Sequence, residues 1–302
     1  MKALTSVYSY YLPETRKVID EIIKDFPHEL YLENTKLDDF HIPIIERYKK
    51  WTKNQIKGLD DFEYVYPTNG SSEGIFHLLA DIKANQPSSY GGINYHKGEY
   101  EGYKHYADSL NIRNSNFNIT NDFNDWMFLS NPSAKDGNIL TKQWYLDDLM
   151  ETHKVAYDLA YVGMAAPHIF DVSNAKTVFV SFSKPFGMFY YRTGLLFSKF
   201  EIPSLNANKW FKNIFGLMIA DKMMQKYPID YFWKKYRPIQ EKIITRIKKE
   251  DKINIKASDV YLLGWCEENA MEYYKQKNYQ KYKREDNYRF CLTPYFKEEL
   301  DG

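Results

Sequence analysis

Cysteine is nearly absent. Cys266 and Cys291 are the only two in 302 residues and form no C-x-x-C pair, which excludes a disulfide framework or a zinc knuckle and fits a reducing compartment. Charge of one sign is not in excess either: 41 Lys and Arg against 40 Asp and Glu leave +1, so bulk electrostatics favour neither nucleic acid nor an acidic membrane surface. No apolar run approaches the length of a membrane span, and MKALTSVYSYYLPETRK holds no signal-peptide core, so the expectation is a soluble cytoplasmic protein. Repeats and low-complexity tracts are missing. Aromatic residues are plentiful at 17%, with 27 Tyr, but tyrosine suits cores and interfaces alike and so decides nothing by itself.

The chain's organising stretch is Val178–Lys199, VFVSFSKPFGMFYYRTGLLFSK. A β-branched and aromatic run predicts a buried strand, Pro185 and Gly187 predict a turn, and a second apolar run follows Arg192. A lysine at a strand's mouth is unusual, because a buried amine is costly unless paired or neutralised, and condensing with an aldehyde is one way to become neutral. Eight residues after Lys184, Arg192 brings a forked cation suited to phosphate. A lysine able to form a Schiff base, small hydroxyls before it and an arginine after it describe a seat for pyridoxal phosphate.

Upstream, Pro13 opens a helix running to about Lys24, and a second amphipathic helix runs from Pro43 to about Lys57, with Ile44, Ile45, Tyr48 and Trp51 on one face. In Tyr64–Ala80, an extended segment meets turn residues Thr68-Asn69-Gly70 before Ser71-Ser72-Glu73 opens an apolar helix. Free amides at such a helix start suit an anion, so Asn69–Ser72 is either a phosphate cup or an ordinary cap. The tyrosine-rich stretch from Gln86 to Ala107 offers an aromatic platform for a flat ring; Tyr103 is preferred, with Tyr100 and Tyr106 as rivals. His96 and His105 have no metal-ligand spacing, and no metal is expected. The strand Asp125–Leu129 empties into Ser130-Asn131-Pro132-Ser133-Ala134-Lys135-Asp136-Gly137, turn residues of the kind that gather ligands at a sheet's carboxyl edge. After a helix around Gln143–Glu151, the strand Lys154–Tyr157 leads to Asp158, which either holds a ring nitrogen protonated or caps a turn, and Tyr161 lies within reach.

TNGSSEG, NPSAKDG, DLAY and SFSKPFGMFYYR, in that order, resemble the class I/II pyridoxal-phosphate aminotransferases, the fold-type-I group that includes aspartate and histidinol-phosphate aminotransferases. The resemblance covers about Tyr64 to Leu196, with a landmark at Tyr288–Thr293. It implies that Lys184 carries the cofactor and shuttles the proton, Asp158 pairs with the pyridine nitrogen and Tyr161 bonds the phenolic oxygen. Ser181, Arg192 and the amides around Gly70, Ser71 and Ser72 would bind the phosphate, Tyr103 would stack on the ring, and Arg289 would grip the substrate carboxylate. One departure stands out: Ala134 occupies the position of a second asparagine that touches the phenolic oxygen, so Asn131, a shifted loop or Tyr161 alone must serve that oxygen.

The expected architecture is α/β: a mostly parallel central sheet with helices on both faces over 46–215, and a smaller α+β domain from 1–45 and 216–302. Asn206–Lys226 reads as a helix packed on the sheet or at a dimer contact, and Tyr231–Lys256 as a long helix with Ile239, Ile243, Ile244 and Ile247 buried and the rest solvated. The expected activity is transfer of an amino group between an α-amino acid and an α-keto acid. A lyase, decarboxylase or racemase on the same scaffold is the alternative, and a non-catalytic sensor a third. The resemblance implies a homodimer; neither nucleic acid nor membrane is an expected partner.

Overall fold

A computed structural model describes residues 1–26, 37–85, 92–116, 125–271 and 277–301. The opening of the tyrosine-rich stretch, 86–91, lies outside the described residues, as does 27–36 of the polar N-terminal region. In order the elements are α1 (Pro13–Lys24), α2 (Ile42–Thr52), β1 (Ile56–Lys57), β2 (Tyr64–Thr68), α3 (Ser71–Asn85), β3 (Gly92–Tyr95), α4 (Glu101–Ser109) and β4 (Arg113–Asn116). Then come β5 (Trp126–Ser130), α5 (Gln143–Thr152), β6 (Lys154–Asp158), β7 (Phe170–Asp171), β8 (Thr177–Ser181), β9 (Gly194–Ser198) and α6 (Ile214–Lys226). The chain closes with α7 (Tyr231–Asp251), β10 (Lys256–Ala257), β11 (Leu263–Glu267), β12 (Lys283–Arg284), β13 (Asn287–Cys291) and α8 (Thr293–Asp301).

The central sheet has seven strands in the order β2-β9-β8-β6-β5-β3-β4. Only β9 runs against the others, pairing antiparallel with both β2 and β8. Every residue of β5, β8 and β9 is buried, the pattern of strands covered on both faces. Helix α3 lies close on this sheet through Gly74, where a Cβ would come within 3.0 Å of Leu196 Cδ1 and 3.2 Å of Phe179 Cδ1. Ile75, Leu78 and Leu79 are fully buried beneath it.

A four-stranded antiparallel sheet, β10-β11-β13-β12, forms from the C-terminal third, and Leu4 bridges to Cys291 at its side. Arg289 therefore lies on an inner strand, paired across from Trp265, rather than on an edge. Helix α7 packs Ile243, Ile244 and Ile247 inward, with Ile239 only partly buried. Its fully buried Gln240 donates from Nε2 to the carbonyls of Ser258, Val260 and Leu263 at 3.1, 3.1 and 2.6 Å.

Three expected helix bounds differ from those observed. Helix α7 ends at Asp251, not Lys256, which instead begins β10. Helix α2 stops at Thr52, so Ile56-Lys57 is free to pair with β7. Helix α6 begins at Ile214, not Asn206, because the Asn213 side chain caps it by accepting the Gly216 amide at 2.8 Å. Trp210 and Phe211, read as packing residues, are 56% and 77% exposed. Among the described residues no helix is long and apolar enough to cross a membrane.

Candidate active site

Three parallel strands deliver polar residues to the same edge of the sheet. Ser130 ends β5, Asp158 ends β6 opposite it in the ladder, and Ser181 ends β8. Residues 182–193 then loop back to β9 and bring Lys184 and Arg192 over this edge. The loop is anchored by stacked Phe182 and Phe186 rings, by the Phe182 amide on the Thr193 carbonyl, and by Ser9 Oγ donating to the Lys184 carbonyl at 3.1 Å. At Gly187 (φ +61°) a Cβ would lie 2.2 Å from the Tyr10 carbonyl, so the N-terminal segment can press directly on the turn.

Gly70 has φ +88°, a left-handed turn that starts α3 and leaves its first amides free. A Cβ on Gly70 would stand 2.8 Å from Arg192 Nη2, and one on Gly194 would stand 2.9 Å from Gly70 Cα. Two glycines thus let the guanidinium, the helix start and the end of β8 meet, and positive charge and amide donors converge where an anion would be held.

A cavity of about 240 Å³ opens on this assembly. Among the residues singled out from the sequence, Ser71, Ser72, Asp158, Tyr161, Ser181, Lys184, Arg192 and Arg289 line it, with Gly70 directly behind Arg192. The Lys184 ammonium lies 4.2 Å from the centre of the Tyr161 ring. Burial raises the Asp158 carboxyl above the ordinary carboxylate range, opposed by the Lys184 charge, the Tyr103 hydroxyl and the Ala160 amide, which donates to Oδ1 at 3.0 Å. Arg289 is 5% exposed and gives hydrogen bonds to the Ala134 and Thr5 carbonyls, while its Nε has no partner. An arginine buried with a donor unspent is poised for a further acceptor.

Two expected positions do not fit. Tyr103 is wholly buried and absent from the cavity wall; its hydroxyl donates to Asp158 Oδ2 at 2.9 Å and meets Ser130 Oγ at 2.8 Å. A ring held behind the aspartate cannot form the face of a flat ligand, and Tyr100, the rival three residues earlier, lines the cavity instead with its hydroxyl 3.1 Å from Ser72 Oγ. Asn131 is also fully buried and turned away, its amide nitrogen donating to Tyr157 Oη at 2.9 Å and its oxygen accepting the Leu140 amide. Its polar atoms are committed, so it does not replace the asparagine missing at Ala134.

Sequence reasoning missed Glu99 and Arg284, both on the cavity wall. Arg284 pairs with Glu101. Glu99 is 6% exposed and accepts from Ser133 Oγ and from the Ala134 amide at 2.9 Å; burial pushes its carboxyl up to about 7.

No family model and no curated protein matches the sequence. Solved structures match the fold over nearly its whole length. A Methanococcus jannaschii protein, described as similar in its active site to kynurenine aminotransferases, superposes with a TM-score of 0.69 at 16% identity over 99% of this chain and 89% of that one. The pyridoxal-phosphate-bound C-S lyase of Staphylococcus hominis gives 0.69 at 13% identity over 99% and 89%. L-Threonine-O-3-phosphate decarboxylase of Porphyromonas gingivalis gives 0.61 at 15% identity over 99% and 97%. The chain has the fold of fold-type-I pyridoxal-phosphate enzymes, the class I/II aminotransferases among them.

Proposed function

We propose that the protein is a pyridoxal-phosphate enzyme acting on an α-amino acid, and that its reaction is amino-group transfer to an α-keto acid. The observation carrying this reading is the convergence on one cavity of Lys184, Asp158 and Tyr161 with the Gly70–Arg192 cup and the partly unspent Arg289. These residues suit the cofactor: a cup of amides and guanidinium for its phosphate, a buried carboxyl for its ring nitrogen, an amine for its aldehyde. Bound there, pyridoxal phosphate would supply an aldehyde that condenses with amines and a ring that accepts the electron pair left when a substrate bond breaks.

The protein's own groups divide the remaining work. Arg192, the amides of Ser71 and Ser72 and the Ser181 hydroxyl bind the phosphate. Asp158, kept ionised, accepts a hydrogen bond from the ring nitrogen and holds the proton there. Tyr161 would donate to the phenolic oxygen without help from a side chain at position 134, where Ala offers no side-chain amide. Tyr100 supplies the aromatic wall. Lys184 would hold the cofactor through its amine and would be the group that takes the substrate's α-proton as general base. Arg289 presents its fork to the substrate carboxylate, which places the α-carbon beneath Lys184.

Ala134 also favours a second reading. Loss of the amide at the phenolic oxygen alters how charge is held on the ring, and a C-S lyase and a decarboxylase share the fold. Mixing the yellow protein with single amino acids separates the cases. Keto acid with aminated cofactor supports transfer; ammonia or carbon dioxide supports the second reading; no turnover refutes both. We assign 46–215 to the cofactor-binding domain and 1–45 with 216–302 to the smaller one, a division that keeps each large sheet within one part. A homodimer would cover the exposed Tyr190, Trp210 and Phe211, and sedimentation tests it.

A further inference from the structure

The chemistry above leaves some charges on the cavity wall unused. Asp158, Lys184, Arg192 and Arg289 have roles there, but Glu99, Glu101 and Arg284 do not. Glu99 is turned into the 133–134 loop, accepting from the Ser133 hydroxyl and the Ala134 amide. That leaves Arg284 and Glu101, which pair with each other. The pair is lopsided: the Arg284 side chain is 16% exposed and that of Glu101 63%.

Local structure explains the difference. Arg284 ends β12 directly across from Asn287 on β13, and Asn287 stands two residues before Arg289. Residues two apart on a strand share a face, as do residues directly opposite, so both arginines rise from one face of the small sheet as diagonal neighbours, rooted about 7–8 Å apart. The turn at Gly98 (φ +81°) presses close on β12, since a Cβ there would lie 3.2 Å from the Arg284 carbonyl oxygen. Glu101, by contrast, is the first residue of α4, and its carboxylate reaches toward solvent. An ion pair with one exposed member holds weakly, so Glu101 can leave at little cost while Arg284 stays in the wall.

Once Glu101 leaves, a mostly buried guanidinium needs another acceptor. We propose that Arg284 receives an acidic group at the far end of the substrate while Arg289 holds its α-carboxylate, so that the protein selects α-amino acids with an anionic side chain, a carboxylate or a phosphate ester. The forked guanidinium suits either group. A substrate that displaced Glu101 with an uncharged end would strand Arg284, and for that reason it is the poorer one. The choice of amino acid rests on the function proposed above; the pairing of two arginines for one doubly anionic ligand does not.

Acids compared with their uncharged counterparts, on the protein supplied with pyridoxal phosphate, test the proposal. For aspartate over asparagine, glutamate over glutamine or O-phosphoserine over serine, at least one ratio of kcat/KM is expected to reach about tenfold or more in wild type, chiefly through KM. Which acid gives the largest ratio tells carboxylate from phosphate. Arg284→Gln should bring that ratio near one, and Glu101→Ala, which removes the competing carboxylate, should raise it; a loosened fold does not produce opposite shifts. Equal use of acid and counterpart by wild type, a ratio unmoved in Arg284→Gln or lowered in Glu101→Ala, or preference for lysine over all of these would overturn the proposal. If no amino acid is turned over, the reading of function fails, and calorimetry with succinate against its monoamide, succinamate, decides the rest. Tighter binding of succinate by wild type, abolished in Arg284→Gln, keeps the two-arginine site; equal binding by wild type and variant removes it.

Discussion

Replacing Glu99 by glutamine removes a titration that links stability to pH. The carboxyl rises from an ordinary 4.5 to about 7 in the folded chain because burial penalises its charge more than the Ser133, Ala134 and Ser130 donors favour it. The folded chain therefore holds this proton more tightly than the unfolded one. The contribution is complete below about 4.5, shrinks as pH rises, and is gone above about 7. At about 1.4 kcal/mol per pH unit, wild type should lose about 3 kcal/mol over that interval on account of Glu99 alone. Other groups titrate in both proteins and cancel in the difference. Urea unfolding of the cofactor-free proteins at about pH 5 and about pH 8 measures it, and the variant should gain about 3 kcal/mol on wild type between the two. A stability difference that stays constant across the range would show that Glu99 is ionised throughout and merely ties down the 133–134 loop.

Gly70→Ala places a Cβ 2.8 Å from Arg192 Nη2 and forces a side chain to φ +88°, so it should cost about 1 kcal/mol in urea unfolding and weaken phosphate or cofactor binding about tenfold or more in a fluorescence titration. Arg289→Lys keeps the charge but loses the fork, and should raise KM for the amino acid far more than it lowers kcat. Gln240→Leu takes a buried donor from the Ser258, Val260 and Leu263 carbonyls, which keep Arg237 Nη1, the Leu263 amide and the Ser258 amide respectively, and should cost about 1–2 kcal/mol in urea unfolding, leaving the cofactor spectrum of the folded fraction unchanged.

Strong local signals were enough to locate the strands that end at Ser130, Asp158 and Ser181. The run ending at Ser181 is a buried central strand, Ser71 does begin a helix, and the residues named for the phosphate, the amine and the two carboxylate-directed roles meet on one cavity. Distinctions set by distant contacts were not legible. Tyr100 and Tyr103 are one helical turn apart, and only the closeness of Asp158 and Ser130 puts the second behind the wall and leaves the first in it. Asn131 reads as a free amide after a strand, but Leu140 and Tyr157 consume it. Glu99 stands between Gly98 and Tyr100 in the tyrosine-rich stretch, where the aromatic residues draw the attention. Its burial comes from the 133–134 loop packing over it, which no local pattern announces. Trp210 and Phe211 have helical spacing with the residues after them, but the Asn213 cap excludes both from α6.

Every role assigned to the site is defined by its distance from one nitrogen, so the most direct measurement concerns that atom. The protein should be incubated with pyridoxal phosphate, reduced with borohydride to fix any carbon–nitrogen double bond, digested and mapped by mass spectrometry. A pyridoxyl-phosphate adduct on Lys184 alone, lost in Lys184→Ala, is the predicted result. An adduct confined to another lysine, or none at all on a folded protein, would contradict the account.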